Sequence, residues 1–131
     1  MNSLPVAVAA LAPKRFDTSI LAGQIAESSQ AMYKRDFRSY LAFAGSFERA
    51  MQPSTLARWR SYLASETEYS PRTINRMLAA TKRLMREAAL QGYVSHEIAE
   101  QFGQVPGVKV KALKERQRTN NRTPIRPEDM R

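Results

Sequence analysis

Ser70-Pro71-Arg72-Thr73-Ile74-Asn75-Arg76-Met77-Leu78-Ala79-Ala80-Thr81-Lys82-Arg83-Leu84-Met85-Arg86-Glu87-Ala88-Ala89-Leu90-Gln91-Gly92-Tyr93 carries the clearest helical signature in the chain. Ser70 is a good N-cap, and Pro71 sits at the first helical position, where a missing N–H costs nothing. Ile74, Met77, Leu78, Thr81, Leu84, Met85 and Ala88 recur at the spacing of one buried face. Gly92 is a natural stop, with Tyr93 placed to fold back on the last turn. The spacing therefore predicts a helix over Arg72 to Gln91. At about 100° per residue, Arg72, Arg76, Lys82, Arg83 and Arg86 share an arc of roughly 120° on the other side. No acidic residue interrupts the run from Arg72 to Arg86.

Upstream, a helix starts near Pro53-Ser54 and places Leu56, Trp59 and Leu63 on one face, fading around Ser65 to Glu68. Trp59 is the only tryptophan, and its spacing reads as core packing rather than base stacking. Before it, Ser28 or Ser29 can cap a helix that runs to Gly45. Tyr33, Phe37, Tyr40, Leu41 and Ala44 form its buried face, and Lys34, Arg35 and Arg38 fall roughly opposite. Downstream, Ser95 caps a short helix through Phe102, closed by Gly103, with Ile98 and Phe102 covering the bottom of a bundle. His96, in its first turn, reads as an exposed or partly packed residue. The expected fold is all-α, a small bundle of four to five helices.

The flanks differ from this core. Residues 1–27 lack a sustained period and are expected to be loosely ordered, with Ile20 to Ile25 as a helical turn or a short apolar strap. Residues 28–103 form the helical domain. Over residues 104–131, Lys109, Lys111, Lys114, Arg116, Arg118, Arg122 and Arg126 accumulate while apolar residues thin out, so an extended or mobile basic linker is expected. Pro127-Glu128-Asp129 has the form of a helix start, which suggests that another domain would begin there.

Composition favours binding over chemistry. The 131 residues include 21 Lys+Arg against 12 Asp+Glu, a formal charge of +9, which suits a polyanionic partner. With no cysteine, disulfides, zinc–thiolate sites and a cysteine nucleophile are excluded, and a single histidine argues strongly against a histidine-rich metal site or a self-sufficient histidine centre. No Gly-rich phosphate loop, paired-histidine motif or Ser/His/Asp set is present. No catalytic residue, metal, cofactor or small-molecule substrate is expected. The apolar N-terminus from Leu4 to Ala12 lacks a preceding basic residue and is broken by Pro5 and Pro13, so it reads poorly as a signal peptide. A cytoplasmic protein without a membrane partner is expected.

The basic arc is the positive signal. Lys and Arg on a rigid helix neutralise phosphates and release counterions. Arg76 and Arg83, with Thr73 and Asn75 beside them, have the length and donors to reach base edges in a major groove. A charged face opposite an apolar one is ordinarily just solvated, but such faces usually mix signs. On this reading Arg76→Glu lowers DNA affinity and barely changes stability.

The order of elements also resembles a known family. Tyr33-x-x-x-Phe37-x-x-Tyr40-Leu41-x-Phe43, the helix around Leu56 to Leu63, the run Ser70-Pro-Arg-Thr-Ile-Asn-Arg-Met-Leu-Ala-Ala-Thr-Lys-Arg, and Gly92-Tyr-Val together resemble the N-terminal core-binding (SAM-like) domain of tyrosine recombinases, the phage integrase family. The resemblance covers roughly residues 28–131. It implies one half of a clamp around double-stranded DNA, with Arg72, Thr73, Asn75, Arg76 and Arg83 as contacts and Lys34, Arg35 and Arg38 as first-helix candidates; Lys82 and Arg86 complete the basic arc. It also implies that the catalytic residues lie in a further domain, since His96 is followed by Glu97-Ile98-Ala99 and lacks the family's His-x-x-Arg pattern. The DNA-free domain is expected to be a monomer, and the full-length parent a multimer on DNA. A helical protein–protein module docking on an acidic partner is the alternative. A helix-turn-helix regulator ranks behind both, because the long basic helix lacks the short Gly-containing turn before it.

Overall fold

The structure is a computed structural model that describes residues 12–111. Among these residues the chain is all-α. A 3-10 turn, Thr18–Leu21, precedes five helices: α1 (Glu27–Ala44), α2 (Phe47–Ala50), α3 (Pro53–Glu66), α4 (Pro71–Leu90) and α5 (His96–Gly103). The expected small bundle is present. The expected helix start at residues 127–129 lies outside the described residues.

α4 is the axis on which the others are laid. Ser70 Oγ accepts the Thr73 amide at its start, and Pro71 occupies the first turn. Gly92, at φ +85°, lets the chain turn back so that the Tyr93 amide donates to Ala88 O at 2.8 Å. A side chain at that φ would be strained. All seven residues read as its apolar face are buried. Thr81 fits among them because its hydroxyl donates to Met77 O at 3.2 Å, so burial leaves no unmet donor. α1, α3, α5 and the 3-10 turn all pack against α4.

The second centre of the core is Tyr40, which is wholly buried. Its ring lies 5.0 Å from that of Trp59, and its hydroxyl donates to Ala50 O at 2.6 Å. Burial pushes the phenol pKa well above its ordinary value, so the group stays neutral and keeps donating. Trp59 is 1% exposed, which confirms it as core.

Four points differ from, or add to, what the sequence leads us to expect. α1 begins at Glu27 after Ala26, with no side-chain cap from Ser28 or Ser29. Residues 46–52, which lack a period, contain α2, whose Ser46 cap accepts the Arg49 amide and whose Phe47 and Ala50 are buried. The third correction concerns residues 12–27, which are bound to the bundle rather than loose. Phe16 packs against Phe37, Phe47 and Tyr93, with ring centroids 5.9, 5.3 and 5.7 Å apart. Asp17 caps the 3-10 turn, and its hydrogen bonding to Ser19 holds its carboxyl below the ordinary range; Leu21 is fully buried. Fourth, residues 105–108 form a docked strap instead of a free linker: Val105 is buried and Val108 partly so.

Leu21→Ala should therefore cost about 3 kcal/mol in a denaturant titration, the usual range for a buried leucine outside any long helix. A loss under about 1 kcal/mol would detach the N-terminal stretch from the folding unit.

Candidate nucleic-acid interface

The apolar stripe of α4 fixes where its cations emerge. Residues on the far side of the helix face water, and those at the two edges meet whichever segments cover the stripe. Arg72 and Arg86 are exposed and make no ion pair among the described residues. Between them lies a hollow of about 310 Å³ lined by Arg76, Lys82, Arg83 and Arg86, with Met32, Tyr33, Ala79 and Ala80 as its apolar part.

The edge residues are engaged within the protein, which corrects the reading of one uninterrupted free face. On the α1 side, Arg76 Nη1 donates to Asp36 Oδ2 at 2.6 Å, with Asp36 3% and Arg76 37% exposed. Arg83 Nη2 donates to Gln24 O at 3.2 Å, while its Nε is buried without a partner. On the opposite edge, Lys82 Nζ donates to Val105 O. Burial lowers the Lys82 pKa, and the nearby Arg60 charge lowers it further. The Asn75 amide donates to Val108 O at 3.2 Å and accepts the Val108 N–H at 2.7 Å. Thr73 is tied into the helix cap, with its hydroxyl 3.1 Å from Ser70 Oγ. Of the α4 candidates, only Arg72 and Arg86 project without a partner among the described residues.

The α1 cations do not merge with this ridge. Asp36 faces α4, and Lys34 and Arg38 lie about 160° around α1 from it. They line a separate hollow with Asp17, Thr18 and Ser19. Arg35 is exposed.

Sequence reasoning passed over Asp36, Arg60, Arg49 and Arg58. Asp36 had a signal: it precedes Tyr40 by four residues, which puts an acid on the buried flank of α1. Arg60, donating to Pro106 O at 2.9 Å, had none, because its partner lies in a non-periodic segment. Arg49 and Arg58 line a further hollow with Gln52 and Thr55.

Among the described residues, no three or more His, Cys, Asp or Glu side chains are grouped to hold a metal ion. No helix among them is long and apolar enough to cross a membrane. No family model, curated protein or solved structure matches the chain.

The ion pair changes what Arg76 variants report. Arg76→Ala leaves the Asp36 carboxylate buried without its partner, a loss of roughly 1–3 kcal/mol once the partial exposure of Arg76 is discounted. Arg72→Ala and Arg86→Ala should stay within about 0.5 kcal/mol of the wild type. Thermal melts of the three variants check this order; equal melts would mean that the Asp36–Arg76 pair contributes nothing.

Proposed function

We propose that this chain binds duplex DNA as the core-binding domain of an integrase-type tyrosine recombinase, clamping the duplex and contributing to site recognition. The observation that carries the DNA reading is the α4 ridge. Arg76, Lys82, Arg83 and Arg86 line one hollow there, and among the described residues only Arg76 of the four is ion-paired, to the buried Asp36. The field above the ridge is therefore positive, which suits a row of phosphates. Arg72 and Arg86 supply contacts whose side chains do not have to leave a partner. Arg83 and Lys82 add charge, because a carbonyl acceptor does not neutralise a cation. The recombinase assignment rests on the resemblance of residues 28–131, and it leaves strand cleavage to a catalytic domain.

One observation favours the second reading, a protein-docking module. Leu90 is 72% exposed, beside a hollow of about 440 Å³ lined by Arg86, Ala89, Leu90, His96, Ala99, Glu100 and Gly103. Exposed apolar surface of that kind suits a protein partner.

A salt series of binding to a mixed-sequence duplex separates the readings. The double variant Arg72→Glu/Arg86→Glu should melt like the wild type and bind at least about tenfold more weakly. Its salt slope should be shallower by about one for each lost phosphate contact. Unchanged affinity in that variant, or equal affinity for heparin and duplex, would overturn the DNA reading in favour of the docking module.

A further inference from the structure

The strap that follows α5 is held down by hydrogen-bond donors. Arg60 on α3 reaches Pro106 O, Lys82 on α4 reaches Val105 O, and Asn75 pairs with both backbone groups of Val108. Val105, 8% exposed, is the apolar anchor. Pro106 and Gly107 are exposed and rest on the bundle chiefly through polar bonds, while Val108 adds partial apolar packing to its two hydrogen bonds.

Electrostatics oppose this docking. Neither Arg60 nor Lys82 has an ion-pair partner among the described residues, and the Arg60 charge acts on the Lys82 ammonium. The strap itself leads into Lys109 and Lys111, both exposed. A positive segment is thus laid along a positive edge. Carbonyl oxygens offer only partial charges to the two cations, whereas a phosphodiester offers a full negative charge spread over several acceptor oxygens.

We propose that Arg60, Lys82 and Asn75 form a phosphate subsite, that Pro106–Val108 occupies it in the free protein, and that a DNA backbone phosphate displaces the strap there. This rests on the DNA reading above. Lys82 also lines the basic hollow, so the subsite continues the α4 ridge and extends it to α3. The Val105 side chain stays anchored while its carbonyl gives up Lys82 and the residues after it leave, and the released strap carries Lys109 and Lys111 to the same polyanion.

Gly107 provides the means of testing it. A Cβ at this position would lie 2.5 Å from Asn75 Oδ1, and Gly107 is not among the positive-φ glycines. Gly107→Ala therefore pushes the flexible Asn75 amide off Val108, loosening the strap without removing any of the three donor side chains.

The experiment uses the full chain and a mixed-sequence duplex. Amide hydrogen exchange at Val108 is followed by NMR in the wild type, with and without saturating duplex, and affinity is measured for the wild type and Gly107→Ala. The Val108 amide, protected by Asn75 in the free protein, should exchange about tenfold faster in the complex. Gly107→Ala should bind roughly three- to tenfold more tightly, the scale of the hydrogen bonds no longer competing. Val108 protection that is unchanged or increased in a complex that does form overturns the subsite alone. Affinity for Gly107→Ala no greater than for the wild type does the same. If neither protein binds duplex, the DNA reading fails and the subsite fails with it. Exchange in the wild type does not depend on how the variant folds.

Discussion

Burial of the α4 stripe is the constraint to which the rest of the bundle answers. A helix of 20 residues with nine of them buried cannot be covered by one neighbour, because its apolar arc is wider than a single helix–helix seam. α1, α3, α5 and the 3-10 turn share the task, and two non-helical segments close the margins. Those segments have no internal ladder to satisfy their backbone, so side chains from α4 must do it. Arg83 serves the N-terminal margin at Gln24, while Asn75 and Lys82 serve the C-terminal one at Val108 and Val105. Long cationic side chains suit such edges: their methylenes lie along apolar surface while the charged head reaches the rim.

This explains why the helices could be read from the sequence and the segments between them could not. Ser70-Pro71 and Ser95 announce their helices because capping is local chemistry, and the stripe of α4 announces itself by period. Leu21, Phe47, Met51 and Val105 belong to the core as Trp59 does, and Phe16 packs against it, yet each is a near-isolated anchor in a stretch without a period. A lone apolar residue in such a stretch looks the same whether it is docked or free. Only the cavity it fills, formed by residues distant in sequence, decides the matter.

The candidate site was legible in the same partial way. A helical wheel places Arg72, Arg76, Lys82, Arg83 and Arg86 correctly on α4, but it says nothing about what stands opposite them. Asp36 comes from 40 residues upstream, and the acceptors of Lys82 and Arg83 are backbone carbonyls, which leave no trace in residue type. The absence of acids between Arg72 and Arg86 is a true property of the helix. It is not a property of the surface, because α1 contributes an acid of its own.

Pairing with a carboxylate and bonding to a carbonyl have different consequences for a charged ligand. Asp36 cancels the Arg76 charge at close range, so Arg76 adds little to the distant field and much to the packing of α1 on α4. On the DNA reading proposed above, Lys82, Arg83 and Arg60 carry charge that no carboxylate cancels among the described residues, so they would draw a polyanion in from a distance without first releasing their partners. On the same reading Arg72 and Arg86 would do both, attracting and contacting at no cost to the fold. A charge-reversal scan of this helix therefore measures three different quantities along one ridge: fold integrity at Arg76, attraction at Lys82 and Arg83, and attraction plus contact at Arg72 and Arg86. Ranking the residues by loss of affinity alone would put Arg76 high for a reason unrelated to binding, which is why each affinity has to be read beside the melting temperature of the same variant.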